Sequence, residues 1–219
     1  MKIVVVSPHP DDETLGAGGL LLKAKKNGNE IYWVNITNVN ENSSDKAFVS
    51  RRKEQIMQIC KYFNFDGFYD LQFSPSSLEN TNKTEIIDAF DICIKKIEPD
   101  WIILPDPNDA HGDHLITYEV GMICSKAFRC QSIKKILTME IISETDFSRN
   151  GKAFSPNYFV DITNEIDEKI GAIKIYDTEL GDLPFPRNIE TIKALSLVRG
   201  AAAGCRYAEA FRIIKEIDK

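Results

Sequence analysis

The chain has 219 residues, a formal net charge of −6 at pH 7 and 43% hydrophobic residues. This apolar content is enough for a full hydrophobic core, and we expect one domain over residues 1–219. The acidic charge argues against binding to nucleic acid, which requires a concentrated basic surface. No apolar stretch reaches the roughly 20 residues of a membrane-spanning helix, and the N-terminus shows no secretory signal. We therefore predict no membrane span and a cytoplasmic location.

Strand and helix patterns alternate along the first two thirds of the chain. Short apolar or β-branched runs predict strands at residues 3–7, 30–37, 68–73, 101–104, 134–142 and 157–163. Amphipathic patterns predict helices at residues 14–27, 45–63, 87–97, 114–129 and 165–177, and a largely helical segment from residue 188 onward. This order predicts an α/β fold with a predominantly parallel sheet, helices on both faces and a less regular C-terminal third.

All three histidines of the chain lie in two acidic motifs, each shortly after a predicted strand. The first motif is Pro-His-Pro-Asp-Asp-Glu at residues 8–13, and the second is His-Gly-Asp-His at residues 111–114. Parallel α/β sheets bind their ligands at the carboxyl ends of the strands. Because histidine is the commonest metal ligand, we expect the two motifs to form one metal site.

His9 and Asp12 are three residues apart on a strand-to-helix turn, so both side chains can converge on one ion. His114 from the second motif would complete the ligand set. Two histidines and one carboxylate are a standard set for a catalytic zinc ion with an open position for water. Another divalent transition metal, such as Fe²⁺, stays open. Asp11 is then available as general base for water whose pKa the metal lowers to about 7.

His111 and Asp113 are the remaining members of the second motif. The Asp113 carboxylate can orient the His111 imidazole and favour its protonated form. His111 could then act as general acid for a leaving amine, or as an electrophile that stabilises an oxyanion. The structural alternatives are that Asp12 caps the following helix and that His111 and Gly112 form a turn. Together the two motifs indicate metal-assisted hydrolysis of an amide.

With these two motifs, the chain resembles the PIG-L/LmbE-like metal-dependent N-deacetylases. Further matching segments are residues 16–19, Arg51 with Glu54, residues 100–105, and residues 199–211. The resemblance implies a Rossmann-like fold and a zinc ion. It implies the following site residues: His9, Asp12 and His114 as zinc ligands, Asp11 as base, and His111 with Asp113 as acid or electrophile.

The resemblance also implies an activity, which is removal of the acetyl group from an N-acetylated amino sugar or glycoconjugate. The expected partner is such a small molecule, and a homo-oligomer stays open. Asp109 stands where the thiol-precursor branch of the family has a tyrosine, so a supplementary oxyanion donor must come from elsewhere.

Three residues are candidates for substrate binding. Arg51 is the best of them, although an ion pair with Glu54 is the structural alternative. Arg187 lies in a proline-flanked loop and is a weaker candidate. Glu140 follows a predicted strand and either reaches the pocket or makes a buried hydrogen bond. Loops at residues 38–45, 74–83 and 182–187 are candidate rim segments.

Two rival functions stay open beside the deacetylase. One is an amidase that acts on another amide, such as a thiol conjugate, and the other is a metal-stabilised carbohydrate-binding module without turnover. Asp11 and His111 argue against the binding module, because a structural zinc site usually has four protein ligands. The glycines at residues 16–19 lack the Gly-x-Gly-x-x-Gly spacing of a dinucleotide loop. We expect them instead to let a helix pack closely on the sheet.

Overall fold

The structure is a computed structural model that describes residues 1–39 and 45–218. Its strands are β1 (Lys2–Ser7), β2 (Glu30–Thr37), β3 (Gly67–Phe73), β4 (Trp101–Pro105), β5 (Lys135–Met139), β6 (Tyr158–Asp161) and β7 (Ala208–Glu216). Within the described residues these strands form a seven-stranded sheet in the order β3-β2-β1-β4-β5-β7-β6. Neighbours from β3 to β5 are parallel, whereas β7 runs antiparallel to both β5 and β6. The predicted α/β fold with a mostly parallel sheet is confirmed.

Helices cover both faces of the sheet, as predicted. They are α1 (Asp12–Lys26), α2 (Lys46–Phe63), α3 (Lys83–Ile97), α4 (Gly112–Cys124), α5 (Ile166–Ile173) and α6 (Ile189–Ala203). The alternation of side chains along β1 divides the core. Ile3 and Val5 pack with α1, α2 and α5, whereas Val4 and Val6 pack with α3 and α4 on the other face. None of the helices in the described part of the chain is long and apolar enough to cross a membrane.

The order of the strands creates a crevice between β1 and β4. The chain runs from β1 outward to β2 and β3, then returns to the other side of β1 and continues with β4 and β5. Open α/β sheets bind ligands at such a reversal point, outside the carboxyl ends of the strands. The first histidine motif follows β1 and the second follows β4. The fold therefore brings the two motifs together.

The C-terminal segment differs from its prediction. The helix expected from residue 188 onward ends at Ala203, where Gly204 takes a left-handed conformation with φ 74°. Residues 208–216 form β7, which lies between β5 and β6. Ile213, Ile214 and Ile217 have the spacing of an amphipathic helix, but pairing with two neighbouring strands overrides this local pattern. The helix predicted to end at residue 129 also ends earlier, at Cys124.

Two glycines of α1 lie where this helix packs closely against side chains in or next to the sheet. A Cβ atom at Gly16 would lie 2.6 Å from Met139 Sδ, and one at Gly19 would lie 2.6 Å from Ile162 Cγ2. Both distances are far below a normal contact between carbon and its neighbours. The prediction that these glycines allow close helix packing is confirmed.

A buried ion pair joins α1, α5 and β7. Glu209 accepts hydrogen bonds from the backbone N–H groups of Gly19 and Leu20, both at 2.7 Å, and from Lys169 Nζ at 2.6 Å. The side chains of Lys169 and Glu209 are each only 4% exposed. Glu209 belongs to the C-terminal segment that the family resemblance singles out, and its place in the fold gives it a structural role.

We expect Glu209→Ala to lower the free energy of unfolding by about 3–5 kcal/mol, because it leaves the Lys169 ammonium buried without its counter-ion. Urea unfolding followed by circular dichroism measures the change. Glu168→Ala is the control, since its ion pair with Lys26 is nearly half exposed and should contribute no more than about 1 kcal/mol. Equal losses in the two variants would contradict the assignment.

Candidate active site

The first motif turns the chain from β1 into α1. Asp12 is the first residue of α1 and is therefore not its N-cap. Its buried side chain accepts a hydrogen bond from the His9 backbone N–H at 2.9 Å. Asp11 precedes it with φ 140°, a conformation that costs a non-glycine residue about 1–3 kcal/mol. Glu13 stabilises this turn, because its Oε2 accepts a hydrogen bond from the Asp11 N–H at 3.0 Å. The strained turn thereby directs the Asp11 and Asp12 carboxylates to the crevice.

The second motif lies at the start of α4. His111 is the residue before this helix, and its Nδ1 accepts a hydrogen bond from the Asp113 backbone N–H at 3.1 Å. His114 is in the first turn and is fully buried. The ring centroid of His9 lies 4.6 Å from that of His111 and 5.4 Å from that of His114. All three histidines of the chain therefore share one site.

His9, Asp12 and His114 form a group that could hold a metal ion. Asp12 Oδ2 lies 3.5 Å from His9 Nδ1 and 3.4 Å from His114 Nε2. One nitrogen or oxygen atom from each residue lies within 4.8 Å of those of the other two. The three side chains predicted as metal ligands are thus close enough to reach a common atom.

The buried atoms of this group fit a cation. Among the described residues, His114 Nε2 and Asp12 Oδ1 have no hydrogen-bond partner although both are buried. An unsatisfied buried polar atom costs about 1–3 kcal/mol. A divalent cation between the side chains would satisfy such atoms, and the donor set of two imidazoles and one carboxylate is that of catalytic zinc sites.

Each candidate histidine ligand has an aspartate on the ring nitrogen away from Asp12. His9 Nε2 lies 3.0 Å from Asp113 Oδ2, and His114 Nδ1 lies 2.8 Å from Asp109 Oδ2. Burial alone would lower the pKa of both imidazoles, but the carboxylates around them raise it to about 9 for His9 and about 10 for His114. A raised pKa favours the protonated ring, and a metal that binds to either histidine would have to displace that extra proton.

The contacts of Asp113 differ from the sequence-based expectation. Its Oδ2 is 4.0 Å from His111 Nδ1, too far for a hydrogen bond. Besides His9, its two oxygens accept hydrogen bonds from the backbone N–H groups of Ser76 (2.6 Å) and Leu78 (3.0 Å). The Asp113 carboxylate therefore orients His9 and the loop after β3, and only its backbone N–H contacts His111.

His111 is held in a defined tautomer. Because Nδ1 accepts the Asp113 N–H, the proton of the neutral ring must be on Nε2. Burial and the nearby charge of His9 lower the pKa of His111. The contacts of His111 therefore do not favour its protonated form, which the sequence led us to expect beside Asp113. A neutral His111 offers its Nε2–H as a hydrogen-bond donor, which suits the stabilisation of an oxyanion.

Asp11 is adjacent to the histidine group and is paired with Arg187. Arg187 Nη1 lies 2.7 Å from Asp11 Oδ2, and its other nitrogens contact Ser143 Oγ (2.7 Å) and Glu144 Oε1 (3.3 Å). Burial and the negative charge of Asp12 raise the pKa of Asp11 to about 8, whereas Arg187 lowers it. A cation at Asp12 would cancel that repulsion, so a metal and Arg187 together would favour the ionised form.

A cavity of about 270 Å³ opens onto these residues. It is lined by His9, Pro10, Asp11, Thr37, Asn38, Val39, Arg52, Pro75, Ser76, His111, Glu144, Glu179 and Arg187. Each of the three predicted rim loops therefore contributes to the wall. The prediction for the first loop extends over residues 40–44, which lie outside the described part of the chain.

The three predicted substrate-binding residues fall in different places. Arg187 lines the cavity. Arg51 does not, because its exposed guanidinium pairs with Asp177 at 2.7 Å and faces Glu54 at 3.7 Å. Glu140 lies beside a different cavity and forms a two-point ion pair with Arg199, at 2.8 and 2.5 Å. The structural alternatives given for these two residues, an ion pair for Arg51 and a buried hydrogen bond for Glu140, describe their contacts in the structure.

Four functional candidates were missed in the sequence. Asp109 contacts His114, and the other three line the cavity, namely Arg52, Glu144 and Glu179. Arg52 donates to the Pro10 carbonyl at 3.0 Å and pairs with Glu179. Its signal was helical spacing, because Arg52 is three residues after Val49 and four before Ile56, on the buried face of α2. Glu144 lies in a loop and Glu179 in a short 3-10 helix, and neither segment carries a comparable pattern.

The family model described as "PIG-L: GlcNAc-PI de-N-acetylase" matches residues 4–125, which include both histidine motifs and more than half of the chain. The chain therefore belongs to the PIG-L family. It is similar to a diacetylchitobiose deacetylase of Thermococcus kodakarensis, with 24% identity over 99% of this chain and 84% of that protein. The predicted enzyme class, a deacetylase, is confirmed by these similarities.

Solved structures share the fold. The N,N'-diacetylchitobiose deacetylase of Pyrococcus horikoshii aligns with a TM-score of 0.78 and 22% identity, over 98% of this chain and 84% of that one. The 4-carboxy-2-hydroxymuconate hydratase GalB of Pseudomonas putida aligns with a TM-score of 0.76 and 14% identity, over 100% and 98%. Because a hydratase has the same fold, the fold alone does not define the reaction.

Proposed function

We propose that the protein is a zinc-dependent N-deacetylase that releases acetate from a small N-acetylated amino sugar. The observation that carries the proposal is the convergence of His9, Asp12 and His114 on one point, with the strained Asp11 beside them at the wall of the cavity. These residues come from both family motifs. Zinc is the metal that the donor set favours, and Fe²⁺ is the alternative.

Asp11 is the general base of this proposal. His9, Asp12 and His114 would hold a divalent metal, which would supply the Lewis acidity that lowers the pKa of water and polarises an amide carbonyl. Asp11 accepts the proton of the attacking water. Arg187 orients the carboxylate through Oδ2, which leaves Oδ1 for the proton. The short contact also keeps Asp11 from moving away from the metal ligands, so that its position is fixed before the substrate binds.

His111 stabilises the tetrahedral intermediate. Its Nδ1 is fixed by the Asp113 N–H, so Nε2–H is the donor towards the developing oxyanion. Asp11 passes the proton taken from water to the leaving nitrogen as the C–N bond breaks, so that the nitrogen leaves as a neutral amine and the hydrolysis yields acetate and a free amine.

The charges at the cavity favour a substrate without an anionic group. Both arginines in its wall already face carboxylates. Arg52 pairs with Glu179, and Arg187 contacts Asp11, Glu144 and Glu179. A phosphate or carboxylate on the substrate would have to compete with these carboxylates for the arginines and would approach their negative charge. A neutral sugar faces no such repulsion.

A panel of substrates tests the proposal through acetate release by the zinc-loaded protein. We expect turnover of N,N'-diacetylchitobiose or N-acetylglucosamine, and kcat/KM for N-acetylglucosamine about tenfold or more above that for its 6-phosphate, as a like-charge contact of about 1.4 kcal/mol would give. Glu179→Gln should narrow this ratio, because it frees Arg52. A preference for the 6-phosphate would refute only the assignment of a neutral substrate and would leave the proposed deacetylation in place.

The same panel separates the proposed activity from its rivals. Turnover restricted to other amides, such as acylated thiol conjugates, would identify an amidase of different specificity. Binding of sugars by the fully metal-loaded protein without release of acetate from any of them would identify a binding module. Either result would overturn the proposed deacetylation of an amino sugar.

A further inference from the structure

Asp109 is a buried carboxylate that the proposed reaction does not use. It lies in the loop between β4 and α4, two residues before His111, and its side chain is fully buried. Its Oδ2 is 2.8 Å from His114 Nδ1. This contact joins Asp109 to the most buried of the three histidines.

The contact determines which nitrogen of His114 is free. An ionised carboxylate can accept hydrogen bonds but cannot donate them. His114 must therefore carry a proton on Nδ1 to bond with Asp109. The lone pair of the neutral ring is then on Nε2, which lies 3.4 Å from Asp12 Oδ2 and has no hydrogen-bond partner among the described residues. The ring is thereby oriented with its unpartnered nitrogen towards Asp12 and His9.

We infer that Asp109 is a positioning residue that fixes the tautomer of His114 and strengthens its hold on the metal. A carboxylate behind a metal-bound imidazole makes the ring a more basic ligand and prevents its rotation. The inference rests on the proposed metal site. The inference also gives a role to Asp109 at the position where the thiol-precursor branch has a tyrosine. A side chain turned towards His114 cannot donate a hydrogen bond to a substrate oxyanion, as that tyrosine would.

The loop provides a matched control in Asp106. This aspartate is also buried, at 2% exposure. Its oxygens accept hydrogen bonds from the backbone N–H and the side chain of Asn108 and from Thr138 Oγ1, and none of these contacts involves a histidine. Asp106→Asn therefore reproduces the loss of a buried carboxylate from the same loop without touching His114.

The first test is the zinc dissociation constant of the folded protein, measured by competition with a chromogenic chelator. We expect Asp109→Asn and Asp109→Ala to weaken binding about 10- to 100-fold, with the larger effect in the alanine variant, which loses the hydrogen bond as well as the charge. Asp106→Asn should bind zinc like the parent. Parent affinity in both Asp109 variants would overturn the inference, and a parent that binds no zinc would overturn the metal site itself.

The second test needs no variant and holds if the Asp109 variants fail to fold. The chain has only three histidines, so long-range ¹H–¹⁵N correlation spectra of the zinc-loaded parent can be assigned to single rings. We expect His114 to carry a proton on Nδ1 and the metal on Nε2. Zinc on Nδ1 of His114, or a protonated Nε2, would overturn the inference.

Discussion

Asp11→Asn is expected to retain zinc and to lose about 10²- to 10⁴-fold in kcat, the range that general-base catalysis contributes. The amide keeps the shape of the carboxylate but cannot accept a proton from water. Steady-state acetate release and metal analysis of the same preparation measure the two properties. Asp177→Asn is the control, because Asp177 pairs with Arg51 on the surface and does not line the cavity.

Two outcomes of this experiment would contradict the assignment of Asp11. A variant with full zinc content and parental kcat would show that another group takes the proton. A variant that loses zinc but regains normal turnover after reconstitution would make Asp11 a ligand. The strained φ of Asp11 is the reason to expect neither, because the fold maintains an unfavourable conformation to place this carboxylate.

Complete removal of the metal is expected to abolish acetate release, and about one equivalent of zinc per chain should restore it. His114→Ala should weaken zinc binding by more than about 100-fold, which is the largest loss expected when a residue that only contacts a ligand is replaced. His111→Ala should keep its zinc and lower kcat, because His111 is not one of the three proposed ligands and only its ring packs against that of His9. Activity that survives removal of all metal would refute the proposed chemistry.

The parts of the site that could be predicted are those that depend on short stretches of chain. His9 and Asp12 follow a buried strand and begin a helix, and a strand-to-helix turn has few conformations. The adjacency of the second motif followed from the β-α-β order, because parallel strands place their carboxyl ends at one edge. Both inferences needed only the sequence pattern and general rules for α/β sheets.

The positions of Arg51 and Arg52 follow from the helical pattern of α2. Family resemblance drew attention to Arg51, but α2 packs through Val49, Ile56 and Phe63, and Arg52 belongs to that face. Helical periodicity alone would have predicted a buried Arg52 and an exposed Arg51. A residue that matches a family segment also has to lie on the face of its helix that meets the pocket.

Other features could not be predicted, because they depend on contacts between distant segments. Asp113 is next to His111 in sequence, yet its carboxylate contacts His9 and the loop after β3, since the first turn of α4 points it away from its neighbour. Glu179 and Glu144 reach the cavity from two separate segments of the chain. β7 forms a strand because β5 and β6 provide hydrogen-bond partners, whereas its own residues favour a helix.

Anomalous diffraction from crystals of the zinc-loaded protein, recorded above and below the zinc absorption edge, tests the central claim most directly. We expect one strong peak per chain, bonded to side-chain atoms of His9, Asp12 and His114 and open to the cavity that Asp11 and His111 line. A fully loaded protein whose peak lies elsewhere, or is bonded to fewer than two of these three residues, would contradict the account.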